Sequence, residues 1–310
     1  MVLLIVDVME NYRSAPLMRP LSDQPHSLAR QNMAQDKVVN LAPDFMGNRF
    51  VNVAISSQAG GLSIVVNLNP ETVNESNGAS SEFERSATKK SRLPVEIMAL
   101  ELRQALQVVH QGQLRLRPTF QSMPAELLKL RHVALTGDGD PTSVPNFTEA
   151  IQAVTWLRAL GDYFKIVLIT KGTCVHHPEV LQGIESLTKS DEIWFTLDGG
   201  SRTFSGKGDH TDGPPERILA NVLLIGRKRP VVIQSSFPLI KGQEQPLAEI
   251  HKYVVRLKEL TEAGAQISQV QIYSGDAGSS HAKFAHLSLR VLSQIAQSIR
   301  QTTGLRVEVF

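Results

Sequence analysis

Apolar positions along the chain switch repeatedly between a period of two and a helical period, and the switches predict its elements. Residues 50–55 alternate apolar and polar as a short strand does, and 62–68 form a β-branched run bounded by Gly60-Gly61 and Pro70. Over 94–111, Val95, Ile97, Met98, Leu100, Leu102, Leu106 and Val109 are spaced as in an amphipathic helix. Further strands are predicted at 133–135, 164–170, 192–197, 230–234, 267–273 and 306–309, with helices at 147–160, 178–187, 215–226, 247–263 and 287–302 between them. Apolar strands alternating with helices imply parallel pairing through right-handed crossovers. The predicted fold class is α/β, a partial or full (β/α) barrel of parallel strands with outer helices, with a doubly wound sheet as the alternative. Residues 1–46 show weak periodicity, scattered Pro and Gln and no motif, and are read as a variable N-terminal extension, leaving 47–310 as the barrel domain.

Composition narrows the classes of function. A chain of 310 residues with 42% hydrophobic content can bury a sizeable core. Its 32 basic and 30 acidic residues nearly cancel, so no global field draws it to nucleic acid or to an anionic membrane. The opening Met1-Val-Leu-Leu-Ile-Val-Asp-Val lacks a basic lead and is interrupted by Asp7, so it is read as an element start rather than a signal. The single cysteine, Cys174, allows no intramolecular disulfide and no Cys-based zinc finger; a reducing cytoplasm is the expected compartment.

In such architectures ligands collect at the C-terminal ends of the strands. The first of these ends, Asn67-Leu-Asn-Pro70, opens a long polar stretch, 69–92, whose length alone points to a functional or formerly functional loop. The next, Thr136-Gly-Asp-Gly-Asp-Pro-Thr142, is the richest. Its glycines permit close approach of backbone or positive φ, and Asp138 and Asp140 offer acceptors to an amine or a metal, although a plain Gly/Asp turn closed by Pro141 explains the same residues. Leu197-Asp-Gly-Gly-Ser201 is a second such turn, where Asp198 could bond a ribose or another substrate group. Gln234, at the end of its strand, either faces the mouth or caps the sheet. Cys174, His176 and His177 follow another strand, but neighbouring loop side chains diverge, so a metal site there is not expected.

Several segments in order, Gly61-Leu-Ser-Ile-Val-Val-Asn-Leu-Asn-Pro, Leu135-Thr-Gly-Asp-Gly-Asp-Pro-Thr, Leu197-Asp-Gly-Gly-Ser, Pro230-Val-Val-Ile-Gln-Ser and Thr303-Gly-Leu-Arg-Val-Glu-Val-Phe310, together resemble radical S-adenosylmethionine (SAM) proteins, namely the bacterial group with a Gly-x-Gly-Glu-Pro-Thr turn. The resemblance implies a partial (β/α) barrel of radical SAM type, a cysteine loop after the first parallel strand that binds a four-iron cluster, and SAM chelated by that cluster. It sets Asn74, Gly78 and Ser81 on the three cysteine positions. It sets Asp138, Gly139 and Asp140 on the turn that accepts the SAM amine, with aspartate for the usual glutamate. Asp198 and Gly199 match the turn after the fourth strand, and Gln234 the end of the fifth.

Four-iron clusters are held by thiolates, which amide and hydroxyl oxygens do not replace. The expected protein is therefore a pseudoenzyme with no 4Fe-4S cluster, retaining at most a SAM or nucleotide-type pocket at the strand C-termini. A structural or regulatory subunit that binds a protein partner through loop 71–92 is the alternative. A non-radical enzyme using Asp140, His176 or His177 as acid or base is the third reading.

Overall fold

The computed structural model describes residues 38–39, 45–70, 92–161, 163–197, 215–237, 239, 244, 246–274 and 287–310, all within one compact unit, Ala34–Phe310. One sheet of nine strands organises them: β1 (Val38–Val39), β2 (Val51–Ser56), β3 (Gly61–Asn67), β4 (Leu130–Thr136), β5 (Ile166–Thr170), β6 (Glu192–Thr196), β7 (Val231–Ser236), β8 (Ile267–Tyr273) and β9 (Val307–Val309). Among the described residues, each of the six connections from β3 to β9 carries one helix of eight residues or more: α1 (Val95–His110), α2 (Phe147–Leu160), α3 (Pro178–Glu185), α4 (Pro215–Gly226), α5 (Leu247–Glu262) and α6 (Leu289–Thr303). None of the described helices is long and apolar enough to cross a membrane.

Strand order decides between the two predicted architectures. β1, β2 and β3 pair antiparallel, and from β3 to β9 every neighbour is parallel and in sequence order. A doubly wound sheet reverses its order at a switch point; this sheet never does. Successive right-handed crossovers that always step the same way lay every helix on one face. The arrangement is consistent with a partial barrel, and among the described strands no ladder joins β9 to β1.

Register sorts the two faces of the sheet. Ala134, Val167, Ile169, Trp194 and Val232 form a buried cluster on one. The other carries Phe195, Ile233 and Ser235, and Ser235 Oγ shares a buried hydrogen bond of 2.7 Å with the hydroxyl of Tyr253 on α5, which marks it as the helix side. All seven residues of β3 are buried, as a parallel strand covered on both faces requires.

Two buried carboxylates fasten elements of the sheet together. Glu101 of α1 accepts the backbone N–H groups of Arg49 (3.0 Å), Phe50 (2.7 Å) and Val51 (3.1 Å), so the helix holds the start of β2. Asp191, just before β6, accepts from Arg158 (2.6 Å), from Ile166 N–H (2.9 Å) and from the N–H and hydroxyl of Thr188. These bonds hold its carboxyl below the ordinary range against the opposing effect of its own burial. At the same end of the helix-free face, His132 packs edge-on against Trp194, ring centroids 5.5 Å apart, and Lys165 and Trp194 Nε1 both bond Glu192. Burial, with Lys165 nearby, pushes His132 down to about 4.

Candidate functional site at the strand C-termini

Asn67 ends β3 and is the register partner of Thr136, which ends β4, so the two chains leave the sheet side by side. The Asn67 side chain is held from both directions: its Nδ2 donates to Asp138 Oδ1 (2.9 Å) and its Oδ1 accepts from Asn69 N–H (3.1 Å). Asp138 is exposed, whereas Asp140, two residues on, is buried.

Gly137 and Gly139 do not have φ in the left-handed region. Their role here is close approach. A Cβ on Gly137 would stand 1.6 Å from Asn69 Oδ1, and one on Gly139 would stand 2.9 Å from Asn69 Nδ2. The glycines thus let the Asn69 amide lie across the turn. Buried there, Asn69 Oδ1 receives no hydrogen bond among the described residues. Asn69 belongs to a strand end that the sequence marks for attention, but nothing in its type or spacing distinguished it from its neighbours.

Asp140 opens a single 3-10 turn, Pro141–Ser143, and accepts the N–H of Thr142 (2.9 Å) as its N-cap. Its carboxylate also takes the hydroxyls of Thr142 (2.8 Å), Thr170 (2.7 Å) and Thr173 (2.9 Å) and the N–H of Thr173 (2.7 Å). Thr170 ends β5, so this one side chain ties the β4 turn to the β5 loop. In that loop Gly172 has φ of 78°, and its carbonyl accepts from Asn221 Nδ2 of α4 (2.6 Å).

Gln234 lies on the helix-free face in one row with Thr196 and Gln271. It is wholly buried, and its Nε2 donates to Gln271 Oε1 (3.0 Å). Gln234 Oε1 and Thr196 Oγ1 receive no partner among the described residues. This row sets three polar side chains next to one another on that face, and only Gln234 of the three stood out as a candidate in the sequence.

Cys174 follows β5 on the wall of a cavity of about 280 Å³ between the starts of α2 and α3, together with Thr142, Asn146, Phe147 and His177. His176 and His177 engage different neighbours: Asn221 lies 3.3 Å from His176 Nδ1, and Glu179 lies 3.8 Å from His177 Nδ1. Among the described residues no three His, Cys, Asp or Glu side chains converge as metal ligands. Asn74, Gly78 and Ser81, expected at the cluster positions, lie outside the described residues, as do Asp198, Gly199 and all of loop 71–92 except Arg92.

No protein-family model matches the chain, and no curated protein matches it in sequence. Among solved structures it is similar to Streptococcus suis SuiB and to SuiB bound to the precursor peptide SuiA, each at 12% identity and a TM-score of 0.45. The alignments take in 68% of this chain but 43% and 42% of the SuiB chains, so this chain spans less than half the length of the structures it matches.

The donor set does not fit a four-iron cluster. Three thiolates are needed after β3, and the one thiol of the chain stands after β5. The acceptor set does fit a ligand ammonium. An exposed carboxylate and an amide oxygen without a donor stand at the ends of adjacent parallel strands.

Proposed function

We propose that this chain is a radical-SAM-type barrel that binds a SAM-like small molecule at the C-terminal ends of its parallel strands and runs no radical chemistry of its own. In this reading it is a ligand-binding pseudoenzyme. The observation that carries the proposal is the acceptor pair at the first two strand ends, Asp138 steered by Asn67 and Asn69 Oδ1 without a donor. A buried polar atom left unpaired costs about 1–3 kcal/mol, and a donor-bearing ligand would recover that cost.

An α-ammonium supplies three donors and one positive charge, which suits a carboxylate beside an amide oxygen. Asp138 then takes the charge, Asn69 orients the group, and Asn67 fixes the rotamer of Asp138. Asp198 and Gly199 remain expectations for the ribose side, and Gln234 for the far wall. Chelation to iron is absent from this scheme, so all affinity comes from such contacts and from apolar burial.

Thermal unfolding with and without SAM tests the reading. Binding to the folded chain raises Tm by linkage. The increase should disappear in Asp138→Asn, which keeps the shape and removes the charge. A SAM-dependent increase of the same size in that variant contradicts the assignment of Asp138.

A further inference from the structure

We propose that Asp140 is a positioning residue, a latch that holds the 137–143 turn and the 171–174 loop as one body, and that it makes no contact with ligand. The assignment rests on the ligand-binding reading above only in leaving Asp138 as the carboxylate that meets the ligand. A carboxylate has about four lone-pair directions. Five donors converge on this one, two from Thr142, one from Thr170 and two from Thr173, at 2.7–2.9 Å. Asp140 is 6% exposed, so water does not compete for those positions. An incoming ammonium would have to displace charge-assisted bonds that Asp140 already makes to the protein.

The latch reaches one atom further. The Thr142 hydroxyl that donates to Asp140 also accepts the N–H of Cys174 at 3.3 Å. The position of Cys174 on the cavity wall is thus set by Asp140 through Thr142, and directly through the neighbouring Thr173. Because Cys174 is the only cysteine in the chain, its thiol reports on the latch without interference.

The experiment is the rate of Cys174 labelling by 5,5′-dithiobis(2-nitrobenzoate) in the full chain, well below Tm and without ligand. Asp140→Asn exchanges one acceptor oxygen for a donor that faces other donors, so the loop opens locally and labelling accelerates about tenfold or more. Asp191→Asn is the control for general destabilisation, since it strips a comparably bonded buried carboxylate at the opposite end of the strands. It should leave the labelling rate within about twofold. Should Asp140→Asn not fold, Thr170→Val removes one latch donor and is expected to accelerate labelling about threefold. An unchanged rate in Asp140→Asn, or an equal acceleration in Asp191→Asn, overturns the latch.

SAM-dependent stabilisation, measured in parallel, separates the two readings. Loss in Asp138→Asn with an unchanged thiol rate supports the division of roles. Loss in Asp140→Asn with an unchanged thiol rate returns the ligand contact to Asp140 and overturns it. If the wild-type chain shows no SAM effect, the ligand-binding reading fails, and the thiol rates still decide the latch.

Discussion

Asn69 Oδ1 lies 1.6 Å from the point a Cβ on Gly137 would occupy. The side chain of one strand end therefore fills the space left by the missing side chain of the next. Gly137→Ala forces the Asn69 amide out of the turn. We expect a loss of about 1–3 kcal/mol in urea unfolding and weaker SAM-dependent stabilisation. Gly139→Ala meets only the tip of the same flexible side chain and should cost less.

Gly172 differs in kind. Its φ of 78° is left-handed, and a Cβ there would also stand 2.6 Å from Phe195 Cε1. Gly172→Ala combines backbone strain with a clash against a buried ring, and a loss of about 2–4 kcal/mol is expected by denaturant unfolding.

Much of the fold follows from burial periodicity, and its limits are equally physical. The β-branched run of β3 and the stripe of α1 were legible because each face they bury is written into their spacing. The choice between a barrel and a doubly wound sheet was not, since periodicity reports which faces are covered and not which strands are neighbours. β4 begins at Leu130 rather than at the predicted 133, because Arg131 and His132 interrupt the apolar pattern. Arg131 Nε nevertheless donates to the Gly60 carbonyl (3.1 Å), and His132 is buried against Trp194.

The site was legible in part. The Gly-Asp-Gly-Asp turn is recognisable from residue types, but the surroundings of Asp140 are not, because Thr170 and Thr173 lie 30 and 33 residues away. Carboxylates that face a ligand and carboxylates that face threonines look alike in one dimension. Threonines at 142, 170 and 173, at or beyond the ends of two adjacent strands, were the only available signal.

His132 gives the protein a pH dependence with a definite sign. Its ordinary value of 6.5 falls to about 4 in the folded chain, chiefly through burial. Between these values the unfolded chain binds a proton that the folded chain does not, so stability present above pH 6.5 is lost as pH falls toward 4. The contribution is of order 3 kcal/mol at most. Measured across this window, wild type should lose unfolding free energy relative to His132→Leu as pH falls; a constant difference between the two would contradict the burial of a neutral imidazole.

Glu101 accepts from three successive backbone amides at the start of β2. Glu101→Ala removes that acceptor beneath α1, and a loss of order 3 kcal/mol is expected. Glu101→Gln keeps an acceptor oxygen and should retain about half of that stability. Chemical denaturation of the two variants side by side checks the order.

The central claim is that a ligand pocket exists at the strand C-termini without a cluster. Calorimetric titration of the purified, cluster-free chain with SAM, with S-adenosylhomocysteine as companion ligand, tests it most directly. Saturable heat at micromolar SAM, lost in Asp138→Asn, is the expected result. No heat with either compound, at concentrations that saturate known SAM-binding proteins, would contradict it and leave the barrel as a scaffold.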